Sequence, residues 1–326
     1  MLIRTGRSIV VRQAKLAVYM EIYMKEYVFD TGDYQLKYRM ASEGVIITGY
    51  QGFSWAAEVP EQIDGQPIRT VDRKAFLSKK NLREIHLPAG VESIGDWAFA
   101  YCSNLERVTI PGCCSNLGKA VFLDCEQLQC VMGICQSGCK QEAWSRENGR
   151  LLAAAVTQME AYYLLEPAMV GSQEWLRKWD ARLEAVMLAE DQEGYSKQVL
   201  CGEEDYGSTD LNAYLQAKRQ KKVRLAMLRL LCEEGLTAGF RQQLAKYLTT
   251  HTLGCESEES WQVICKDGET YPEYVQLFLK LGCATRENIG EMLRRMGEDQ
   301  PQMRAAFLRY QQEKLGYTDF FADLSL

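Results

Sequence analysis

The chain has 326 residues, 47% hydrophobic and 25% charged, the balance of an ordinary soluble globular protein with room for two cores or one elongated repeat array. Its formal net charge of −6 argues against general binding to nucleic acid or anionic membranes, which calls for a basic footprint. No apolar run approaches the ~18 residues of a membrane-spanning helix.

The N-terminus, MLIRTGRSIVVRQAKLAVYM, places Arg12 and Lys15 where a signal peptide needs an unbroken apolar stretch, and no small-residue cleavage site follows. The 12 cysteines are therefore expected as free thiols in a cytoplasmic protein, used as small hydrophobes. Residues 1–23 are basic and match nothing downstream. Met24 is a plausible alternative start, so residues 1–23 are set aside as an uncertain extension. Residues 27–40 follow with a strand pattern, in which Tyr34, Leu36, Tyr38 and Met40 alternate with Gln35, Lys37 and Arg39. Val45 and Ile47 supply a partner strand across a Ser42-Glu43-Gly44 turn, which makes a β cap for what comes next.

What comes next is a repeat. Residues 82–104 and 105–127 are both 23 long and share Leu82/Leu105, Pro88/Pro111, Gly95/Gly118, Phe99/Phe122 and Cys102/Cys125. Ile85/Val108, Leu87/Ile110 and Ile94/Leu117 keep their apolar character. Phe76 and Val71 extend the period upstream, and Leu128 and Val131 extend it downstream; an earlier coil, with Pro60, carries extra residues around Ile63-Asp64-Gly65. Leu-x-x-Ile-x-Leu predicts a short strand with period-two inward residues, ended by a proline that cannot donate to a ladder. Stacking such coils places Phe76, Phe99 and Phe122 in one column, each contributing roughly 1.5–3 kcal/mol of transfer free energy. Leu128–Gly133 is expected as the last strand.

The pattern Leu-x-x-Ile-x-Ile-Pro, then Ile-Gly-x-x-Ala-Phe, then Cys-x-x-Leu resembles the BspA-like, or Treponema pallidum type, leucine-rich repeat over about residues 44–133. GVIITGYQG (44–52) and VPEQIDGQPIRTVDRKAF (59–76) resemble that family's usual first repeat. Two positions depart from it: Val121 stands where a small alanine is usual, and Cys113-Cys114 replace a polar turn. The resemblance implies a protein-binding module, often secreted or on a cell surface. Such repeats usually bind through the outward positions of their strands. Here those are Glu58, then Glu84 and His86, then Arg107 and Thr109, then Cys130 and Met132.

From about residue 142 the apolar period becomes helical. Val223, Ala226, Met227, Leu230 and Leu231 form one stripe, and Tyr274, Leu277, Phe278 and Leu281 another. Ile289, Met292, Leu293 and Met296, and then Met303, Ala306, Phe307 and Tyr310, form two more. Thr237 and Thr285 are expected N-caps, and Gly282 and Gly297 expected stops. CGEEDYGSTD (201–210) reads as a loop with Thr209 or Asp210 capping the next helix. The stretch from Tyr274 to Tyr310 weakly resembles ankyrin-like helix pairs, without the Thr-Pro-Leu-His signature.

Three other chemistries compete with protein binding. The two histidines, His86 and His251, lie in different predicted domains, and no nucleophile elbow, P-loop or dinucleotide fingerprint appears, so enzymatic activity has no motif behind it. Cys113, Cys114, Cys130, Cys135 and Cys139 cluster near one end of the stack, where a metal site or a disulfide competes with free thiols, but no clean pair of Cys pairs exists. The run 218–224, Lys-Arg-Gln-Lys-Lys-Val-Arg, either contacts phosphate or is the wet face of a helix. The reading is an α+β protein: a leucine-rich-repeat β-solenoid domain at 24–138, then an all-α domain of stacked helical hairpins at 142–326. Its expected role is non-enzymatic binding of a protein partner, with no cofactor. An enzyme or metal site in a groove between the domains, and a nucleic-acid surface on residues 218–224, are the alternatives.

Overall fold

A computed structural model describes residues 25–112, 114–135, 143–195 and 210–316. The chain divides into two compact units, Met1–Trp179 and Asp180–Leu326.

The first unit opens with an antiparallel meander of β1 (Glu26–Asp30), β2 (Tyr34–Ala41) and β3 (Gly44–Gly52). The alternation read from the sequence is realised: Leu36, Val45 and Ile47 are fully buried and Tyr38 nearly so. β3 then starts the solenoid, because its other edge pairs in parallel with β6 (Gln66–Val71). Each coil contributes one strand to each of two parallel faces. The first face continues from β6 through β8 (Ser93–Ile94) to β10 (Asn116–Leu117), with Ile47, Val71, Ile94 and Leu117 in register. The second face runs β4 (Ala56–Glu58), β7 (Glu84–His86), β9 (Arg107–Pro111) and β11 (Cys130–Ile134), with Ala57, Ile85, Val108 and Val131 aligned. The insertion in the first coil is a hairpin in which β5 (Gln62–Ile63) folds back on β6 across Asp64-Gly65, both at positive φ.

The repeated identities now have physical causes. The phenylalanine column is longer than the repeat alone indicates: Tyr34, Tyr50, Phe76, Phe99 and Phe122 follow one another at centroid distances of 5.3, 5.6, 5.3 and 5.6 Å. The Cys102 thiol donates to the Phe76 carbonyl (3.0 Å) and the Cys125 thiol to the Phe99 carbonyl (3.1 Å), so each cysteine ties its coil to the preceding turn. Burial pushes the Cys102 thiol up to about 11 and the Cys125 thiol higher still, which keeps both protonated as donors. Gly95 and Gly118 recur because a Cβ there would lie 2.5 Å from the Arg73 amide nitrogen and 2.3 Å from that of Asp96. The turns hold two further in-phase columns in the left-handed region, Lys74–Trp97–Ala120 (φ 60°, 54°, 52°) and Ser78–Tyr101–Asp124 (φ 58°, 61°, 54°). None of the six is glycine, so each position costs on the order of 1 kcal/mol, offset by the amides that donate to the next coil. Lys74 N–H to Asp96 O (3.0 Å) and Trp97 N–H to Lys119 O (2.9 Å) are two of these.

Both edges of the second face are closed. On β4, the Ser54 hydroxyl donates to the Ala56 carbonyl (2.7 Å) and accepts from the Ala56 amide (3.3 Å). Two residues on, the Tyr34 hydroxyl donates to the Glu58 carbonyl and accepts from its amide (2.9 Å). On β11, the Trp144 indole donates to the Val131 carbonyl (2.9 Å) and the Ala143 amide to the Gly133 carbonyl (2.8 Å). Trp144 lies so close over Gly133 that a Cβ there would meet the indole at 2.5 Å. Helix α1 (Arg146–Thr157), N-capped by Ser145, packs behind it, and Leu151 to Val156 are all buried. Trp175 and Trp179, at the start of α2 (Gln173–Leu188), anchor the rest of the unit by donating to Leu164 O and Leu151 O, each at 2.9 Å.

The second unit contains α3 (Leu211–Leu231), α4 (Ala238–Thr250), α5 (Glu259–Asp267), α6 (Pro272–Lys280), α7 (Ile289–Arg295) and α8 (Pro301–Tyr310). Asp210 and Thr237 cap α3 and α4, each side chain accepting from a first-turn amide. Thr285 is not the cap of α7, which starts later. The Asn288 carboxamide instead accepts from the Thr285 amide and donates to Leu253 O and Cys283 O, pinning the turn before the helix. The expected stripe on α3 is too narrow: Val223, Leu225, Ala226, Met227, Leu228, Arg229 and Leu230 are all buried, because α4, α5 and α6 surround this helix. Trp261, Phe278 and Phe307 form the aromatic centre between α5, α6 and α8, with centroids 5.8–6.3 Å apart. Among the described residues no helix is long and apolar enough to cross a membrane.

Candidate functional site

The strand register brings the seven sequence-derived positions together on the second face in two rows. One runs Ala56, Glu84, Arg107, Cys130; the other runs Glu58, His86, Thr109, Met132. Neighbouring coils satisfy one another along each row. Arg107 is ion-paired to Glu84, and the His86 Nδ1 lies 3.0 Å from the Thr109 hydroxyl. His86 Nε2 is also 3.6 Å from Glu84. The hydrogen bond from Arg107 holds the Glu84 carboxyl below the usual carboxylate range and raises Arg107 in turn.

Cys130 occupies its place in the register without contributing to the exposed face. Its side chain is buried, with Sγ 3.8 Å from the Arg146 carbonyl. α1 approaches this closely because Gly149 faces it; a Cβ at 149 would lie 3.0 Å from the sulfur and 2.6 Å from Val131 O. Of the remaining members of the cysteine cluster, only Cys114 and Cys135 are described. Cys114 is buried and donates to Glu92 O (3.4 Å), and Cys135 is exposed. Cys113 and Cys139 lie outside the described residues, as do 1–24 and 201–209 of the stretch expected as a loop. Among the described residues, no group of three His, Cys, Asp or Glu side chains is placed to hold a metal ion.

Three cations of the basic run 218–224 are paired with acidic side chains. Arg219 pairs with Asp191 (2.7 Å) and Glu259 (3.4 Å), Lys222 with Asp191 (2.8 Å), and Arg224 with Asp267 (2.6 Å). Lys222 is buried and also donates to Ala189 O (2.7 Å). Lys218 lies over the Tyr214 ring at 5.5 Å. With Arg219, Lys222 and Arg224 ion-paired inside the unit, the run offers less free positive charge for counterion release on a nucleic acid.

Sequence reasoning did not place two residues beside the sheet. Phe53 and Trp55, immediately before β4, are exposed. The Trp55 carbonyl accepts from the amides of Arg83 (2.7 Å) and Glu84 (3.1 Å), which fixes the segment to the second coil while its ring stays in solvent. Their signal was the aromatic pair in GFSW, just outside the repeating positions. At the opposite ends of the strands, a groove of about 400 Å³ crosses the coils, with Glu58, Glu61 and His86 around Pro60, Pro88 and Ile134.

No curated protein matches the chain. Among solved structures, a T. pallidum leucine rich repeat protein is 32% identical over 32% of this chain and 49% of its own, with a TM-score of 0.30. A leucine rich cell surface protein from Faecalibacterium prausnitzii A2-165 is 25% identical over 34% and 30%, TM-score 0.29. A leucine-rich repeat protein from Bacteroides capillosus ATCC 29799 is 24% identical over 31% and 78%, TM-score 0.28. The chain spans less than half the length of the first two. The family model for the BspA type leucine rich repeat region (6 copies) matches residues 49–134, which leaves the ankyrin-like reading of the helices without support. With the in-phase phenylalanines, glycines and cysteines stacked as described, residues 49–134 are a BspA-type leucine-rich repeat region.

Proposed function

We propose that the chain is a non-enzymatic protein-interaction module that meets its partner on the face formed by β4, β7, β9 and β11, with the helical unit adding a second surface. The observation that carries this reading is the alignment of Glu58, Glu84, His86, Arg107, Thr109 and Met132 on one rigid parallel sheet. A preordered row of polar and charged side chains binds without the entropy cost of ordering a loop. The repeat family supports it too, since leucine-rich repeats typically bind proteins. A reducing location is part of the proposal, supported by the free state of all nine described cysteines.

The test is affinity capture from the native host under reducing conditions, with wild-type chain beside an Arg107→Glu/His86→Ala variant. We expect a partner retained by the wild type to be depleted about tenfold or more on the variant, a loss of about 1.4 kcal/mol. Equal recovery on a variant with unchanged circular dichroism would remove this face from the function.

A further inference from the structure

The first coil differs from the other three on this face. Phe53 is 89% exposed and Trp55 61%. Two large rings exposed two residues apart mark a contact surface, and aromatic side chains concentrate binding energy at protein interfaces. At the other end of the same strand, Glu58 and Glu61 are exposed. Among the described residues neither forms an ion pair. Further along the stack Glu84 is ion-paired to Arg107, Glu92 to Arg69 (3.1 Å) and Glu106 to Arg83 (3.7 Å). Glu58 and Glu61 thus place two carboxylates without ion pairs where the groove lined by Pro60 and Pro88 begins.

The closed edge restricts how this surface can be used. An added strand would need the outward amides and carbonyls of Ala56 and Glu58, which the Ser54 and Tyr34 hydroxyls already occupy. Recognition here has to run through side chains. Two unpaired carboxylates select a cation and strengthen its hydrogen bonds, most of all those of a guanidinium. Indole and phenyl faces take a cation or the apolar residue beside it.

We propose that Phe53, Trp55, Glu58 and Glu61 bind a segment of a protein partner carrying arginine or lysine next to an apolar residue. The inference rests on the sheet being the binding face, and narrows it to the first coil and to a basic occupant.

The probe is a random peptide library displayed on phage and selected against the full chain in reducing buffer. We expect enriched peptides to pair Arg or Lys with an apolar neighbour and to weaken with added salt. Their affinity should fall about tenfold or more in Glu58→Lys/Glu61→Lys, and similarly in Phe53→Ser/Trp55→Ser. All four positions are exposed, so each variant is expected to fold, which circular dichroism checks. Enrichment of acidic or uncharged peptides overturns the inference, as does basic enrichment indifferent to both variants. If affinity is lost in Arg107→Glu instead, the inference fails while the sheet remains the binding face. A selection that enriches nothing, or only peptides indifferent to every variant, overturns both.

Discussion

Phe99→Ala should destabilise the first unit by about 3–5 kcal/mol in urea unfolding, the cost of emptying a fully packed aromatic site. Phe99 is fully buried as the fourth ring of the five-ring column, 5.3 Å from Phe76 and 5.6 Å from Phe122. The site cannot collapse to fill the void, because its walls are held at the coil spacing by the backbone bonds on either side. The Phe76 amide donates to Ala98 O (2.8 Å) and the Phe99 amide to Val121 O (3.0 Å). Leaving a ring's volume empty also removes two ring–ring contacts, each worth about 0.5–1.5 kcal/mol beyond area burial. A loss below about 1 kcal/mol would mean that the column does not hold the coils together.

Asp180→Ala should cost the second unit about 3–5 kcal/mol, because it strands a charge in the interior. The Arg229 side chain has no exposure and sits in the buried C-terminal half of α3. Its guanidinium is held by both oxygens of Asp180 on α2 (2.5 and 3.0 Å) and by the carbonyls of Cys232 and Glu234. Those two carbonyls terminate α3, so the arginine joins two helices and closes the end of one. Removing only the carboxylate leaves the cation desolvated with neutral acceptors alone. The double variant Asp180→Leu/Arg229→Met should lose much less than the single one, since no charge then remains to be buried. Equal losses in the two variants would show that the carbonyl contacts, not the ion pair, carry the stability.

The architecture of the stack was legible because repetition makes it so. One identical glycine, phenylalanine or cysteine every 23 residues means one identical environment, and the environment is set by the neighbouring coil. The outward rows followed from the same register, since a strand's period is two. Features that occur once were not legible. The hydroxyls of Ser54 and Tyr34 close one edge and Trp144 the other, each by a hydrogen bond that no pattern announces. Cys130 keeps the phase of an exposed position, yet it is buried by α1, which sequence spacing does not place. The basic run 218–224 reads as a wet helix face until Asp191 and Asp267, some 30 to 40 residues away, are brought against it. Helical periodicity identified α3 but not its depth, because a stripe of period 3.6 says which side is apolar and not how many neighbours surround the helix.

A closed stack that presents side chains, and not a strand edge, is tested most directly by amide hydrogen exchange at β4 in the full chain. Ala56 and Glu58 should exchange slowly, close to Ala57 in the ladder, with Tyr34→Phe accelerating Glu58 and sparing Ala57. Fast exchange at Ala56 and Glu58 in the wild type would contradict this, and would make β4 an open edge free to accept another strand.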